Sequence, residues 1–150
     1  MLYDAAFFLA LLSTALAMGA ALAHALELPH KIGLDREAYF TVQQIYAGWN
    51  RLAFLLIVEV LAIAAVIGLG WHEPYVRGFA AAALAGLIAA QAVFWLYTQP
   101  ANVATQNWTV MPEAWAALRR QWEYSHLAGA GFQTLAMAML ILAALSRKAA

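Results

Sequence analysis

Four apolar segments, each long enough to cross the hydrocarbon of a bilayer as a helix, restrict this chain to very few folds. They run from about Ala5 to Leu26, Leu52 to Leu69, Phe79 to Thr98 and Leu127 to Leu145. A helical crossing needs about 20 apolar residues. Hydrocarbon cannot satisfy open backbone N–H and C=O groups, so such spans are helical. Pro29, Gly70 and Pro100 punctuate the first three runs, and Arg147 with Lys148 follows the fourth. Of the 150 residues, 65% are hydrophobic and only 11% charged. A soluble domain is about half apolar and a quarter charged. The sequence therefore predicts an all-α fold, a polytopic membrane protein with a single four-helix transmembrane domain over residues 1–150. The expected location is a bacterial inner membrane.

Ala23-His24-Ala25 has the small-x-small form of a signal-cleavage site, but Met1-Leu2-Tyr3-Asp4 carries no Lys or Arg. A signal peptide has a basic n-region, so the first segment reads as a true span. The formal net charge is zero, which gives no footprint for a nucleic-acid partner. The absence of cysteine excludes disulfides, thiolate metal sites, iron–sulfur clusters and thiol redox chemistry.

The connections are unequal. Gly70 to Gly78 is a tight loop between spans two and three, whereas the other two links are long and rich in polar and aromatic residues. Asp35 can cap a short helix, Arg36 to Trp49, with Tyr39, Val42, Ile45, Tyr46 and Trp49 on one stripe. Such a helix suits the membrane interface or the mouth of the bundle. Pro112 and Glu113 are expected to start the last helix well before its apolar part, so that residues 112–124 project beyond the membrane.

Alternating spans then bring His24, Glu27, Asn50, Arg51, Thr98, Asn102, Glu123 and His126 to one end, with five of the six tryptophans. The other end holds Asp4, Trp71, His72, Glu73, Arg147 and Lys148. Lys31, Arg36, Arg51, Arg119 and Arg120 lie at the first end and Arg77, Arg147 and Lys148 at the second, so the positive-inside count leaves orientation open.

Ionisable groups in a span cost several kcal/mol, about 2.5 to 3.5 on insertion scales, so each is a functional candidate. His24-x-x-Glu27 and Glu123-x-x-His126 place an imidazole and a carboxylate on one helix face, and Glu59 lies within an apolar run. Bundle metal proteins use this i, i+3 spacing. His24, Glu27, Glu123, His126 and Glu59 are therefore the expected ligands of a non-haem metal (Fe, Mn, Cu or Zn). Haem held by the two histidines is a weaker alternative, and a hydrogen-bonded packing cluster is another. Glu59 lies about 12 Å deeper than Arg51 at 1.5 Å per residue, so it needs a partner such as Gln91 or Gln133.

At about 100° per residue, Trp115, Arg119, Trp122, His126, Gly129 and Gln133 share one face of the last helix. Gln91, Trp95, Thr98 and Asn102 share one face of the third span if its helix survives Pro100. Trp95 and Trp122 are thus expected as cavity walls, with Gln91, Asn102 and Arg119 contacting a substrate. Arg51 and Arg119 are also candidates to pair with Glu27 or Glu123. Trp49, Trp108 and Trp115 are expected in part at the bilayer interface. His30, His72 and Glu73 read as solvated loop residues.

The layout resembles the anthrone oxygenase-like family of small integral membrane proteins. The matching pieces are His24-Ala-Leu-Glu27-Leu-Pro29, Pro100-Ala-Asn102 after span three, and Trp122-Glu-Tyr-Ser-His126 opening span four. Gly129 stands where that family often carries arginine. The resemblance implies an all-helical bundle and, for some members, oxygenation of a polycyclic anthrone to a quinone.

The residues and the resemblance together lead to a membrane-embedded oxidoreductase acting on a lipophilic aromatic or quinone-like molecule. His24, Glu27 and His126 would be catalytic. Two readings from other classes stand beside it. One is an accessory subunit of a larger membrane complex, or a homo-oligomer, packed through small-residue stripes such as Ala80–Ala83 with Gly86. The other is proton, ion or small-molecule transport through Glu59, weakened by the lack of broken helices or repeats.

Overall fold

The computed structural model describes residues 1–147. Helix α1 (Leu2–Lys31) is followed by a short α2 (Arg36–Gln43), two single 3₁₀ turns (Gln44–Tyr46 and Trp49–Arg51), α3 (Leu52–Leu69) and α4 (Pro74–Val93). A π turn (Phe94–Thr98) leads into α5 (Gln99–Ala104), and α6 (Trp115–Leu145) closes the chain. No strand occurs among the described residues. Four helical stretches are long and apolar enough to cross a membrane: Leu2–Lys31, Trp49–Leu69, Pro74–Ala104 and Trp115–Leu145. The protein is an all-α, four-span membrane bundle.

Its core is built from small residues. Ala6, Ala10, Ala62, Ala80, Ala83, Ala136 and Ala143 are buried together with Phe7, Ile63, Val66, Val76, Leu87 and Leu140. Lipid tails are as apolar as leucine, so helices associate by close van der Waals contact, which small side chains allow. At Gly86 a Cβ would stand 3.3 Å from the Phe132 carbonyl oxygen of α6. Of the Ala80–Ala83 and Gly86 stripe, Ala80, Ala83 and Gly86 are buried within the bundle, and Ala81 and Ala82 are exposed. At the end away from the paired histidines, Arg147 bonds Asp4 at 2.7 Å, so both termini of the described chain meet there. Lys148 lies outside the described residues.

Three boundaries differ from the sequence reading. Helix α1 runs through Pro29 to Lys31 instead of stopping before the proline. The third span continues through Pro100, but over a π turn at residues 94–98. Proline removes one ladder bond and crowds the carbonyl four residues back, and a widened turn just before it relieves that crowding. Gln121 on α6 donates to the Tyr97 carbonyl in that turn at 2.8 Å. Finally, α6 starts at Trp115, after a turn in which Trp115 N–H donates to the Pro112 carbonyl at 3.1 Å.

Helix α2 lies over one end of the bundle. Asp35 caps it, its carboxylate accepting from the Ala38 N–H at 2.9 Å. The helix is shorter than expected: it ends at Gln43, tightens into the 3₁₀ turn, leaves helical conformation at Ala47 (ψ 123°) and turns toward α3 at left-handed Gly48 (φ 86°). Tyr39 and Phe40 pack with Ala101, Trp108 and Trp122 in a second core beneath the cap. At 1.5 Å per residue α1 and α6 are about 45 Å long, well beyond the ~30 Å of hydrocarbon. Their ends and α2 together build a packed polar and aromatic cluster at one end of the bundle.

Candidate functional site

The two paired motifs meet in that cluster. Antiparallel threading brings the end of α1 against the start of α6, and the His24 and His126 rings lie 4.3 Å apart, centroid to centroid. Aromatic rings wall this pair. Tyr46 lies 4.5 Å from His24, and Trp49 and Trp122 each lie 5.1 Å from it. Trp122 also lies 3.9 Å from His126.

His126 Nδ1 is 2.9 Å from the Trp122 carbonyl, one turn back on α6. A carbonyl only accepts, so Nδ1 carries the proton, and Nε2 of the neutral ring keeps the lone pair. His24 Nδ1 is buried and has no hydrogen-bond partner. The site therefore holds imidazole nitrogens not committed to the protein's own scaffold.

Beside the rings runs a continuous polar network centred on Lys31. Lys31 is only 4% exposed. Its Nζ lies 3.3 Å from Glu27 Oε2 and 3.3 Å from Glu123 Oε1, and donates to Tyr46 Oη at 2.7 Å. It also sits 4.6 Å from the Tyr46 ring centre and 4.8 Å from that of Trp122. Tyr46 in turn donates to Glu27. Glu123, 1% exposed, accepts from Tyr39 Oη at 2.8 Å, and Gln43 donates to that phenol at 2.5 Å. Helix α2 and the turn after it thus supply Tyr39, Gln43 and Tyr46, while α1 and α6 supply the charges. Burial raises the Tyr46 pKa, and its bond to Glu27 raises it further. Burial and the Glu123 charge do the same to Tyr39. Both phenols therefore stay protonated as donors.

Lys31 is the residue that sequence reasoning missed. Arg51 and Arg119 were the expected partners of the carboxylates, and neither pairs with them. Arg119 donates to the Leu34 carbonyl at 2.5 Å and stacks over Trp115, 4.7 Å from its centre. It fastens the α1–α2 link to α6. Asn102, expected at a substrate, uses its Oδ1 to accept from the indoles of both Trp122 (2.9 Å) and Trp108 (3.2 Å). Trp108, expected at the interface, is 4% exposed inside the second core. It is held by consecutive left-handed residues, Gln106, Asn107 and Trp108.

Trp122 is at the site as expected, but Trp95 is not. Trp95 is 63% exposed on the outer surface, and Gln91 is half-buried without contact to the cluster. The π turn holds one residue more per ring than an α turn, so the 100° count fails across it. Thr98, which it turns inward, bonds Ser125 of α6 at 2.7 Å. Glu59 is fully buried in the bundle, apart from this cluster, and accepts from Gln133.

Among the described residues no group of three or more His, Asp and Glu side chains is arranged to hold a metal ion. The expected set of five does not assemble in this arrangement, for a physical reason. Lys31 already occupies the space between the two carboxylates and neutralises part of their charge, and Glu59 is elsewhere.

The fold and site define a multi-pass, all-helical membrane protein with an aromatic-walled imidazole pair and a buried lysine–carboxylate network at one membrane face. Comparison with protein-family models, with curated proteins and with solved structures gave no match.

Proposed function

We propose that the protein is a membrane-embedded oxidoreductase that takes a lipophilic aromatic molecule, a hydroquinone or an anthrone, from the bilayer. The observation that carries this reading is the His24–His126 pair, walled by Tyr46, Trp49 and Trp122, with ring nitrogens free of scaffold bonds. Indoles and imidazoles offer flat faces to a flat ring. A neutral imidazole is the usual general base near neutral pH.

The chain's own part is proton handling. His126 Nε2 or the free nitrogen of His24 accepts a proton from the substrate hydroxyl or acidic C–H. The electron-rich anion that remains gives up electrons to dioxygen, the oxidant of this proposal. A hydroquinone loses two protons and two electrons to give the quinone, and dioxygen becomes hydrogen peroxide; an anthrone carbanion adds dioxygen to form a hydroperoxide, whose O–O bond breaks as the remaining C–H proton is lost, giving the quinone and water. Glu27 is the solvent-facing end of the Lys31–Tyr46 network, so protons leave there. If a metal takes part, His24 and His126 are the donors left to hold it.

The test uses purified protein in lipid nanodiscs with an anthrone or hydroquinone in air-saturated buffer, read by the absorbance of the quinone. Loss of a general base costs about 10²- to 10⁴-fold in rate. His24→Ala or His126→Ala is expected to fall in that range. Elemental analysis of the same preparations shows whether a metal leaves with the histidines. Wild-type rates in both variants would refute the assignment.

A further inference from the structure

A groove of about 380 Å³ opens on the flank of the bundle, lined by Ala20 of α1, Leu52 and Leu55 of α3, and Gly48, Trp49 and Arg51 from the turn between α2 and α3. It is apolar except for Arg51. That guanidinium is exposed and has no hydrogen bond or ion pair among the described residues. The two arginines of α6 at this end are placed differently. Arg119 is tied to the Leu34 carbonyl, and Arg120 lines a separate groove with Tyr97 and Tyr124. Trp49 links the groove to the histidine cluster, since its ring packs edge-on against both His24 (5.1 Å) and Tyr46 (5.1 Å).

An unpaired cation on an apolar groove at the membrane interface selects one kind of occupant. It must be amphiphilic, with an apolar body for Leu52, Leu55 and Ala20 and an anionic oxygen for the guanidinium. Arginine binds carboxylates and similar oxyanions through two parallel N–H bonds. An anionic head does not belong among the network side chains, where Glu27 and Glu123 outnumber Lys31.

We propose that this groove is the lateral entrance to the site, and that Arg51 holds the acidic head of the substrate while its ring passes Trp49 toward His24. The substrate class is thus a lipophilic aromatic acid, a phenolate or carboxylate, and not a neutral quinone. The inference rests on the functional reading above and narrows it.

The experiment measures binding to the full chain in nanodiscs by quenching of tryptophan fluorescence, with empty nanodiscs correcting for partition. The probes are a hydroxynaphthoquinone that is ionised at neutral pH and its neutral methyl ether. Wild type is expected to prefer the anion by about tenfold, the scale of one charge-assisted hydrogen bond. Arg51→Gln removes that preference without weakening the methyl ether, and Arg51→Lys keeps part of it. His24→Ala weakens both probes alike. Equal binding of the two probes by wild type, or an anion preference that survives Arg51→Gln, overturns the assignment of the head while the aromatic site stands. Binding of neither probe overturns the functional reading as well.

Discussion

Replacing Lys31 with methionine removes one charge from the centre of the site and leaves the side-chain volume nearly unchanged. The consequence follows from what surrounds it. Glu123 is 1% exposed and would lose its only cation, keeping the Tyr39 bond alone. Removing one partner of a buried ion pair costs about 3–5 kcal/mol, because the other charge stays buried without compensation. Glu27 is partly open to solvent, so its share is screened and adds less than about 1 kcal/mol. Loss of the ammonium over Tyr46 and Trp122 adds roughly another 0.5–1 kcal/mol. The total expected for Lys31→Met is about 4–6 kcal/mol.

The second change, Glu123→Gln, is what makes the reasoning testable. Glutamine still accepts from Tyr39 but carries no charge. Replacing both members of a buried pair is often nearly neutral, so Glu123→Gln in the Lys31→Met background is expected to recover about 2–3 kcal/mol. The measurement is equilibrium unfolding in mixed micelles on all four members of the double-mutant cycle. A loss below 1 kcal/mol for Lys31→Met, or a double variant less stable than Lys31→Met, would show that the ammonium does not compensate Glu123.

Other expectations follow from single contacts. Asn102→Ala leaves the indole N–H groups of Trp108 and Trp122 unmet inside the second core, at about 1–3 kcal/mol each. The near-ultraviolet circular dichroism should weaken with stability, and an unchanged spectrum would count against that pairing. Gly70→Ala would set a Cβ 2.9 Å from the Val66 carbonyl and 2.5 Å from Tyr3 Oη, so a loss of about 1–3 kcal/mol from overpacking is expected in the same unfolding assay. Glu59→Gln is expected to leave stability and substrate turnover at wild-type levels, since an amide can keep a bond to Gln133. Proton uptake by vesicles that Glu59→Gln abolishes would instead favour the transport reading. Burial lifts the Tyr39 and Tyr46 phenols above the ordinary value of 10.0. Their contribution is therefore complete below about pH 10, where unfolded phenols begin to ionise, and is lost as pH rises above it. Absorbance at alkaline pH should show two tyrosines ionising only together with unfolding.

The spans and the meeting of His24 with His126 were legible because they need only helix length and alternating direction. The second span was placed at its observed limits, Leu52–Leu69. What escaped was local. Lys31 is i, i+4 from Glu27 on α1, a spacing that signals a pair on any helix. Pro29 hides it, because a proline signals a helix end, whereas here only the final turn has to tolerate it. Trp95 was misplaced because nothing in Phe94–Thr98 announces a π turn, and one extra residue redirects every side chain on either side of it. Tyr39 and Tyr46 were seen as one amphipathic stripe, but their hydroxyls find Glu123 and Glu27 only because Gly48 ends the stripe with a left-handed turn and folds it over the bundle. Asn102 carried no signal for its role, since accepting from two indoles depends on how α5 and α6 cross.

The depth of the site reconciles its two characters. A lysine, two carboxylates and two phenols would be costly in hydrocarbon, and a lipophilic ring would not leave hydrocarbon for open water. Helices α1 and α6 exceed the bilayer core in length, so their meeting ends reach the interface, where the cost of a charge falls steeply. Helix α2, fixed by the Asp35 cap and by Arg119 on the Leu34 carbonyl, excludes water from above. The groove at Trp49 and Arg51 stays open to the side. On the proposed reading, the network is thus shielded from bulk water beside the histidines, yet the groove keeps the site within reach of a molecule dissolved in lipid. The same arrangement explains why the tyrosines come from the cap and the charges from the spans: the charges arrive with the helix ends, and the cap supplies the neutral donors that keep them in place.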